Sequence, residues 1–192
     1  MLFAAAPPAA DPAARRSLRA RLRAGPLARA VAKVDVRLYR QLREHGHDAT
    51  LELPVKRFSR LGEHAAIWLA LGVAGAALDA PRRERWLRAA RSVLYAYALN
   101  TLLKTVVRRK RPQLEQLPAL ISTPTSLSFP SAHASSSFAA ARAYSALLPA
   151  QPLYAGAAAM ALSRVYLGVH YPSDIAAGAL LGTLVGSAGR AS

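Results

Sequence analysis

No cysteine occurs in the 192 residues, which removes disulfide scaffolds, thiolate zinc sites and cysteine nucleophiles together. Acidic residues are scarce as well: ten Asp and Glu face 26 Lys and Arg, for a formal charge of +16. So few carboxylates argue against a magnesium or calcium cage built from them. Basic residues are themselves missing from the C-terminal part, because 23 of the 26 lie at or before Arg111 and only Arg142, Arg164 and Arg190 follow. Residues 1–14 lack the basic start and hydrophobic core of a secretory signal. The surplus charge asks for a phosphate-rich partner, meaning nucleic acid, anionic lipid or a phosphorylated substrate, and charge alone does not choose.

Apolar residues make up 53% of the chain, and their distribution divides it into three parts. Residues 1–24 read as a disordered basic tail that begins Ala/Pro-rich. Residues 25–60 read as an amphipathic interfacial helix and connector. Leu27, Val31, Val34, Leu38 and Leu42 recur there at steps of three and four, one apolar stripe on an otherwise cationic helix. Such a helix lies on an anionic membrane surface or packs on its own domain, and both can hold. Residues 61–190 then carry five apolar segments, at about 63–78, 90–107, 134–150, 152–168 and 175–188. Each is near the lower length limit for a membrane span. Their Ala/Gly content suits close helix packing. The expected architecture is therefore all-α, an integral membrane helical bundle of about five spans behind a cationic amphipathic helix; a soluble bundle of buried Ala-rich helices is the rival. Arg142, in the middle of the third segment, reads as a packing, snorkelling or subunit contact.

Three short stretches hold nearly all the polar residues of the apolar part. In the first, Lys104, Arg108 and Arg111 fall at i, i+4 and i+7, so a helix would stack three cations on one face before Pro112 ends it. Converging cations suit a dianion such as a phosphoryl group, whereas a basic cluster closing a span also serves as a topology anchor. The second, Phe129 to His133, offers a Ser hydroxyl, helix-start N–H groups and an imidazole, fit for an oxyanion and a proton transfer, for a Ser–His nucleophile, or simply for a helix cap. In the third, Ser163 to Asp174, the carboxylate four residues after His170 can fix its tautomer and leave the other ring nitrogen free to attack, or the pair can be structural.

In order along the chain these stretches read KTVVRRKRP, PSAH and SRVYLGVHYPSD. They resemble the KxxxxxxRP, PSGH and SRxxxxxHxxxD signature of the type 2 phosphatidic acid phosphatase superfamily, the metal-independent lipid phosphatases related to vanadium haloperoxidases. The match covers about residues 60–190 and makes that region a membrane-embedded phosphatase domain. The resemblance implies that His170 forms a phosphohistidine, that Asp174 orients it, and that His133 protonates the leaving group and helps activate water. It also implies that Lys104, Arg111, Arg164, Ser131 and the amide of Ala132 bind the phosphate, with Arg108 a candidate additional ligand and with no metal and no cofactor. Ala132 departs from the usual Gly, which matters only where the turn needs a positive φ.

The motifs end span two, begin span three and join span four to span five, so all meet on one membrane face, which the N-terminus shares. Thirteen basic residues up to Arg60 then put the N-terminus and the site on the cytoplasmic face of the cell inner membrane. The expected partners are a lipid phosphate and anionic membrane lipids, with no nucleic acid and with a homo-oligomer left open. Small bacterial members of this type resemble polyprenyl-linked phosphatases acting on decaprenylphosphoryl-phosphoribose, and the Ala/Arg-rich composition fits a GC-rich bacterial genome. Undecaprenyl diphosphate, phosphatidate and phosphatidylglycerol phosphate stay open as substrates. The alternatives are a vanadate-dependent haloperoxidase and a non-catalytic basic protein binding membrane or nucleic acid.

Overall fold

The structure, a computed structural model, describes residues 25–191. The expected tail over residues 1–24 lies outside them. The described residues form α1 (Pro26–His45), α2 (Ala49–Leu61), α3 (Ala66–Leu78), α4 (Arg83–Val107), α5 (Ala132–Tyr144), α6 (Ala150–Tyr166) and α7 (Pro172–Ala191). They contain no strand, only one isolated bridge between Lys110 and Leu127. The stretch after α1, read as a connector, folds as the second helix α2, opened by Asp48 whose carboxylate accepts from the Thr50 N–H.

α5 is the central helix because it is made of small residues. Ala134 to Ser137, Ala139 to Ala141, Ala143 and Tyr144 are all buried, so neighbours approach it from nearly every side. On α7 the facing row is Gly178, Gly182 and Gly186. A methyl at these positions would meet the Ser131 carbonyl oxygen, the Ala139 nitrogen and the Ala139 oxygen at 2.7, 2.8 and 2.7 Å. The two backbones are therefore in direct contact, which is how small-residue faces pack. Trp68, Trp86, Tyr144 and Leu153 fill the wider gaps at the other end, where Trp68 donates to Ser137 Oγ at 2.8 Å and Tyr144 donates to the Trp68 carbonyl at 2.8 Å. Arg142 donates from Nε to Ser187 Oγ at 2.9 Å, a packing contact between α5 and α7.

α1 inverts the usual logic of an amphipathic helix. Its stripe of Leu27, Val31, Val34, Leu38 and Leu42 is exposed, while Asp35, Tyr39 and Arg43, four residues apart on another face, are buried. Arg43 donates to the carbonyls of Tyr166 and Pro118, and the Tyr39 hydroxyl lies 3.3 Å from those of Leu117 and Gly168. α1 is thus held on the body by polar contacts to the α4–α5 loop and to the C-terminal end of α6 with the turn that follows it. Among the described residues no single helix is long and apolar enough to cross a membrane. The bent pair Ala49–Leu61 and Glu63–Leu78, broken by 50°, passes by length and composition. The break contains two consecutive left-handed residues, His64 (φ 51°) and Ala65 (φ 61°), each costing on the order of 1–2 kcal/mol.

Candidate active site

The C-terminal ends of α4 and α6 and the N-terminal ends of α5 and α7 meet at one cavity of about 540 Å³. Lys104, Arg111, Ala132, His133, Arg164 and His170 all line it. Residues separated by as many as 66 positions in sequence thus share one wall because four helix ends converge.

Each cation arrives differently. α4 stops at Val107, and Arg108 caps it in the left-handed region (φ 53°, ψ 38°). The expected helical stack of Lys104, Arg108 and Arg111 does not form. Arg108 is exposed and off the cavity wall, whereas Arg111 returns to it along an irregular loop. That loop is fixed by Arg111 N–H to the Ser126 carbonyl at 3.1 Å, Arg111 Nε to the Thr125 carbonyl at 2.9 Å and Arg111 Nη1 to the Val169 carbonyl at 2.7 Å. Arg164, buried on the last turn of α6, donates to Ser59 Oγ of α2.

Ser131 is the N-cap of α5, its hydroxyl accepting from the Ala134 N–H at 3.4 Å. The hydroxyl is thereby engaged in the helix start, and the first-turn N–H groups of Ala132 and His133 lack intrahelical partners. Ala132 is not among the residues of positive φ, so nothing at this turn demands glycine. His133 Nε2 lies 3.1 Å from the Ser59 carbonyl, which can only accept. The proton is therefore on Nε2, and Nδ1 is the nitrogen open to a second proton.

His170 lies between α6 and α7 and is buried. Its Nδ1 faces Asp174 Oδ2 at 3.4 Å and its Nε2 faces Arg111 Nη1 at 3.2 Å. Since the guanidinium only donates, the tautomer has the proton on Nδ1 and the lone pair on Nε2. Burial, and then the Arg111 charge, hold the imidazole well below its ordinary pKa, so it is neutral at pH 7.

Behind this pair stands a network that the sequence reading missed. Arg109 donates to Asp174 Oδ1 at 3.0 Å, to Asp35 Oδ2 of α1 at 2.7 Å and to Ser173 Oγ at 2.7 Å, with its guanidinium 4.3 Å from the Tyr171 ring centre. Asp35 Oδ1 accepts from the Ser173 N–H at 2.9 Å. Both carboxylates are buried, and one arginine balances the two. The available signal was that Asp35 is the one acidic residue between Arg15 and Arg43. Replacing Asp35 by Asn keeps the shape but removes the charge that shares Arg109, which then draws on Asp174 alone. The expected result is a roughly 10-fold lower kcat with KM little changed, and an Asp35→Asn/Arg109→Met double variant that loses less than the product of the single losses. Steady-state kinetics of the three variants check it.

Four helix ends gathering cations, two imidazoles and free helix-start amides around one cavity make a phosphatase of all-helical type. The PAP2 superfamily profile matches residues 85–190, more than half of the chain, and the chain belongs to that superfamily. It is 45% identical over 133 residues to the decaprenylphosphoryl-5-phosphoribose phosphatase of Mycobacterium tuberculosis, covering 67% of this chain and 73% of that protein. The protein of the same name from Mycolicibacterium smegmatis is 44% identical over 125 residues, covering 64% and 68%. Among solved structures it resembles Aquifex aeolicus LpxE, with a TM-score of 0.71, 23% identity and coverage of 83% of this chain and 96% of that one. A transmembrane PAP2-type phosphatidylglycerolphosphate phosphatase from Bacillus subtilis gives a TM-score of 0.69, 22% identity and coverage of 91% and 90%.

Proposed function

We propose that this chain is a membrane lipid phosphatase that removes a phosphomonoester from a polyprenyl-linked sugar, of the decaprenylphosphoryl-5-phosphoribose class, through a phosphohistidine. The observation that carries the reading is the shared cavity wall of Lys104, Arg111, Arg164, His133 and His170. The three cations hold the phosphate oxygens, joined by the amide of Ala132 at the positive start of α5. Ser131 acts through the helix cap it makes. The Nε2 lone pair of His170 attacks phosphorus as the ester P–O bond breaks, and the leaving alkoxide takes a proton from His133 Nδ1. Burial, and then the Arg164 charge, lower the His133 pKa to about 2 and leave the ring neutral on its own, so that second proton is one the substrate phosphate brings in as its monoanion. Water then attacks phosphorus, giving its proton to His133, and cleavage of the P–N bond returns His170 and releases inorganic phosphate. Asp174 holds Nδ1–H and balances the charge of the phosphorylated ring.

The relatives' name supports the substrate class. Membrane embedding of residues 61–190 is supported by large apolar side chains that face outward from the bundle, among them Val73, Leu94, Leu102, Leu162, Leu180 and Leu184. The outward stripe of α1 sits in the same way and suits an interfacial position on anionic lipid. No group of three or more His, Cys, Asp or Glu side chains able to hold a metal occurs among the described residues. Because the proposed chemistry runs through histidine and cationic side chains, phosphate release in detergent is expected to persist in EDTA. It should be fastest on decaprenylphosphoryl-5-phosphoribose in a panel with phosphatidate, phosphatidylglycerol phosphate and undecaprenyl diphosphate. Loss of release in EDTA, or a faster rate on phosphatidate, would reject the corresponding part.

A further inference from the structure

Asn100 holds an unanswered acceptor. Its side chain is fully buried and lines the cavity, and its Nδ2 donates to Ser135 Oγ at 2.9 Å while Oδ1 has no partner among the described residues. The amide cannot be turned over to mend this. Ser135 spends its own hydroxyl proton on the Ser131 carbonyl at 3.0 Å, so toward Asn100 it can only accept, which assigns Nδ2 to that side. A buried acceptor without a donor is costly, and a site that keeps one is shaped for a donor that arrives with the ligand.

Phosphate does not supply that donor. Held among Lys104, Arg111 and Arg164, with its proton passed to His133, it is the dianion, whose oxygens would repel Oδ1. Lys104, one turn further along α4, is drawn to the same dianion. The donor must then belong to the part of the substrate that carries the phosphate, and the rest of the wall has matching chemistry. Tyr97 and Thr101 stand beside Asn100 on the cavity face of α4, and the left-handed turn at the α2–α3 break brings Glu63 and His64 to the same wall. The Tyr97 hydroxyl and His64 Nδ1 are hydrogen-bonded at 2.9 Å. Thr101 spends its proton on the Tyr97 carbonyl at 2.9 Å and so offers lone pairs to the cavity. Carboxylate, amide oxygen and hydroxyl lone pairs beside an imidazole and a phenol are the complement of a ring bearing neighbouring hydroxyls.

We infer that Asn100, Tyr97, Thr101, Glu63 and His64 form a hydroxyl-recognition subsite that binds the sugar ring carrying the scissile phosphate. The inference rests on the phosphatase reading and adds to it which residues read the head group. The strained turn has a use in this account, since a straight helix through residues 62–65 would carry Glu63 and His64 away from the wall.

The test compares farnesylphosphoryl-ribose 5-phosphate with its 2,3-dideoxyribose counterpart, two esters that differ only in the hydroxyls, on the detergent-solubilised full chain. The wild type is expected to favour the hydroxylated ester about 10–100-fold in kcat/KM. Tyr97→Phe and Asn100→Leu should each bring that ratio toward one. A second variant guards against misfolding of Asn100→Leu, because Tyr97→Phe keeps the ring and its packing. Equal kcat/KM of the wild type on the two esters, with His170→Ala inactive, overturns the subsite and leaves the phosphatase reading standing. An unchanged ratio in both variants overturns it as well. Release by His170→Ala as fast as by wild type overturns the mechanism beneath both.

Discussion

His170→Ala is expected to lower kcat on a lipid phosphate by at least about 10,000-fold and to abolish the covalent phosphoenzyme. The size follows from what the side chain supplies. Nε2 is the one nitrogen in the cavity whose tautomer is fixed from both sides, by Asp174 behind Nδ1 and by Arg111 in front of the lone pair. A phosphate entering between Arg111 and Nε2 exchanges a 3.2 Å contact with the guanidinium for an attack on phosphorus along the same direction. In the proposed mechanism alanine removes the atom that bonds to phosphorus and leaves the cations, so substrate should still bind while chemistry stops. The check is rapid mixing with labelled substrate and an alkaline quench, which preserves a phosphoramidate bond. Wild type should trap label and His170→Ala should not. Trapped label in the variant would mean that another residue is the nucleophile.

The convergence of these residues on one cavity was legible because each helix end writes a short motif into the sequence: a cation before a proline, a serine opening a helix, a histidine four residues before an aspartate. The helix-packing class was legible too, in the runs of Ala and Gly that now form the α5 and α7 contact. What stayed hidden was everything that reaches the site from far along the chain. Asp35 touches Arg109 from 74 residues away, and Ser59 reaches Arg164 from 105. A lone acid in an Arg-rich helix reads as a solvated charge, since no periodicity marks the polar face as the buried one. The same limit explains the exchange of Arg108 for Arg109. A helix continued to Arg111 points residue 108 at the site, but the left-handed cap at Arg108 rotates the register so that Arg109 turns inward to Asp174. Helix periodicity carries information only as far as the helix runs.

Asp174→Asn should cost about 1,000–10,000-fold in kcat, with substrate affinity changed far less, although it alters one atom. Asp174 meets donors on every side: Oδ2 accepts from the Tyr171 N–H at 2.9 Å and faces His170 Nδ1, and Oδ1 accepts from Arg109. An amide cannot satisfy that arrangement. With its oxygen toward His170 and Tyr171, its NH₂ opposes the Arg109 guanidinium in a buried place. With its NH₂ toward His170 it opposes the Tyr171 N–H and selects the tautomer whose lone pair is on Nδ1, turning the proton onto the nitrogen that attacks in the proposed mechanism. Either orientation also removes the negative charge that balances the ring once Nε2 carries a phosphoryl group, which is why the loss should exceed that of Asp35→Asn, where Asp174 keeps its charge. Single-turnover rates of phosphoenzyme formation for the two variants separate these effects. A fall of less than about 10-fold for Asp174→Asn would mean that Arg111 alone fixes the His170 tautomer.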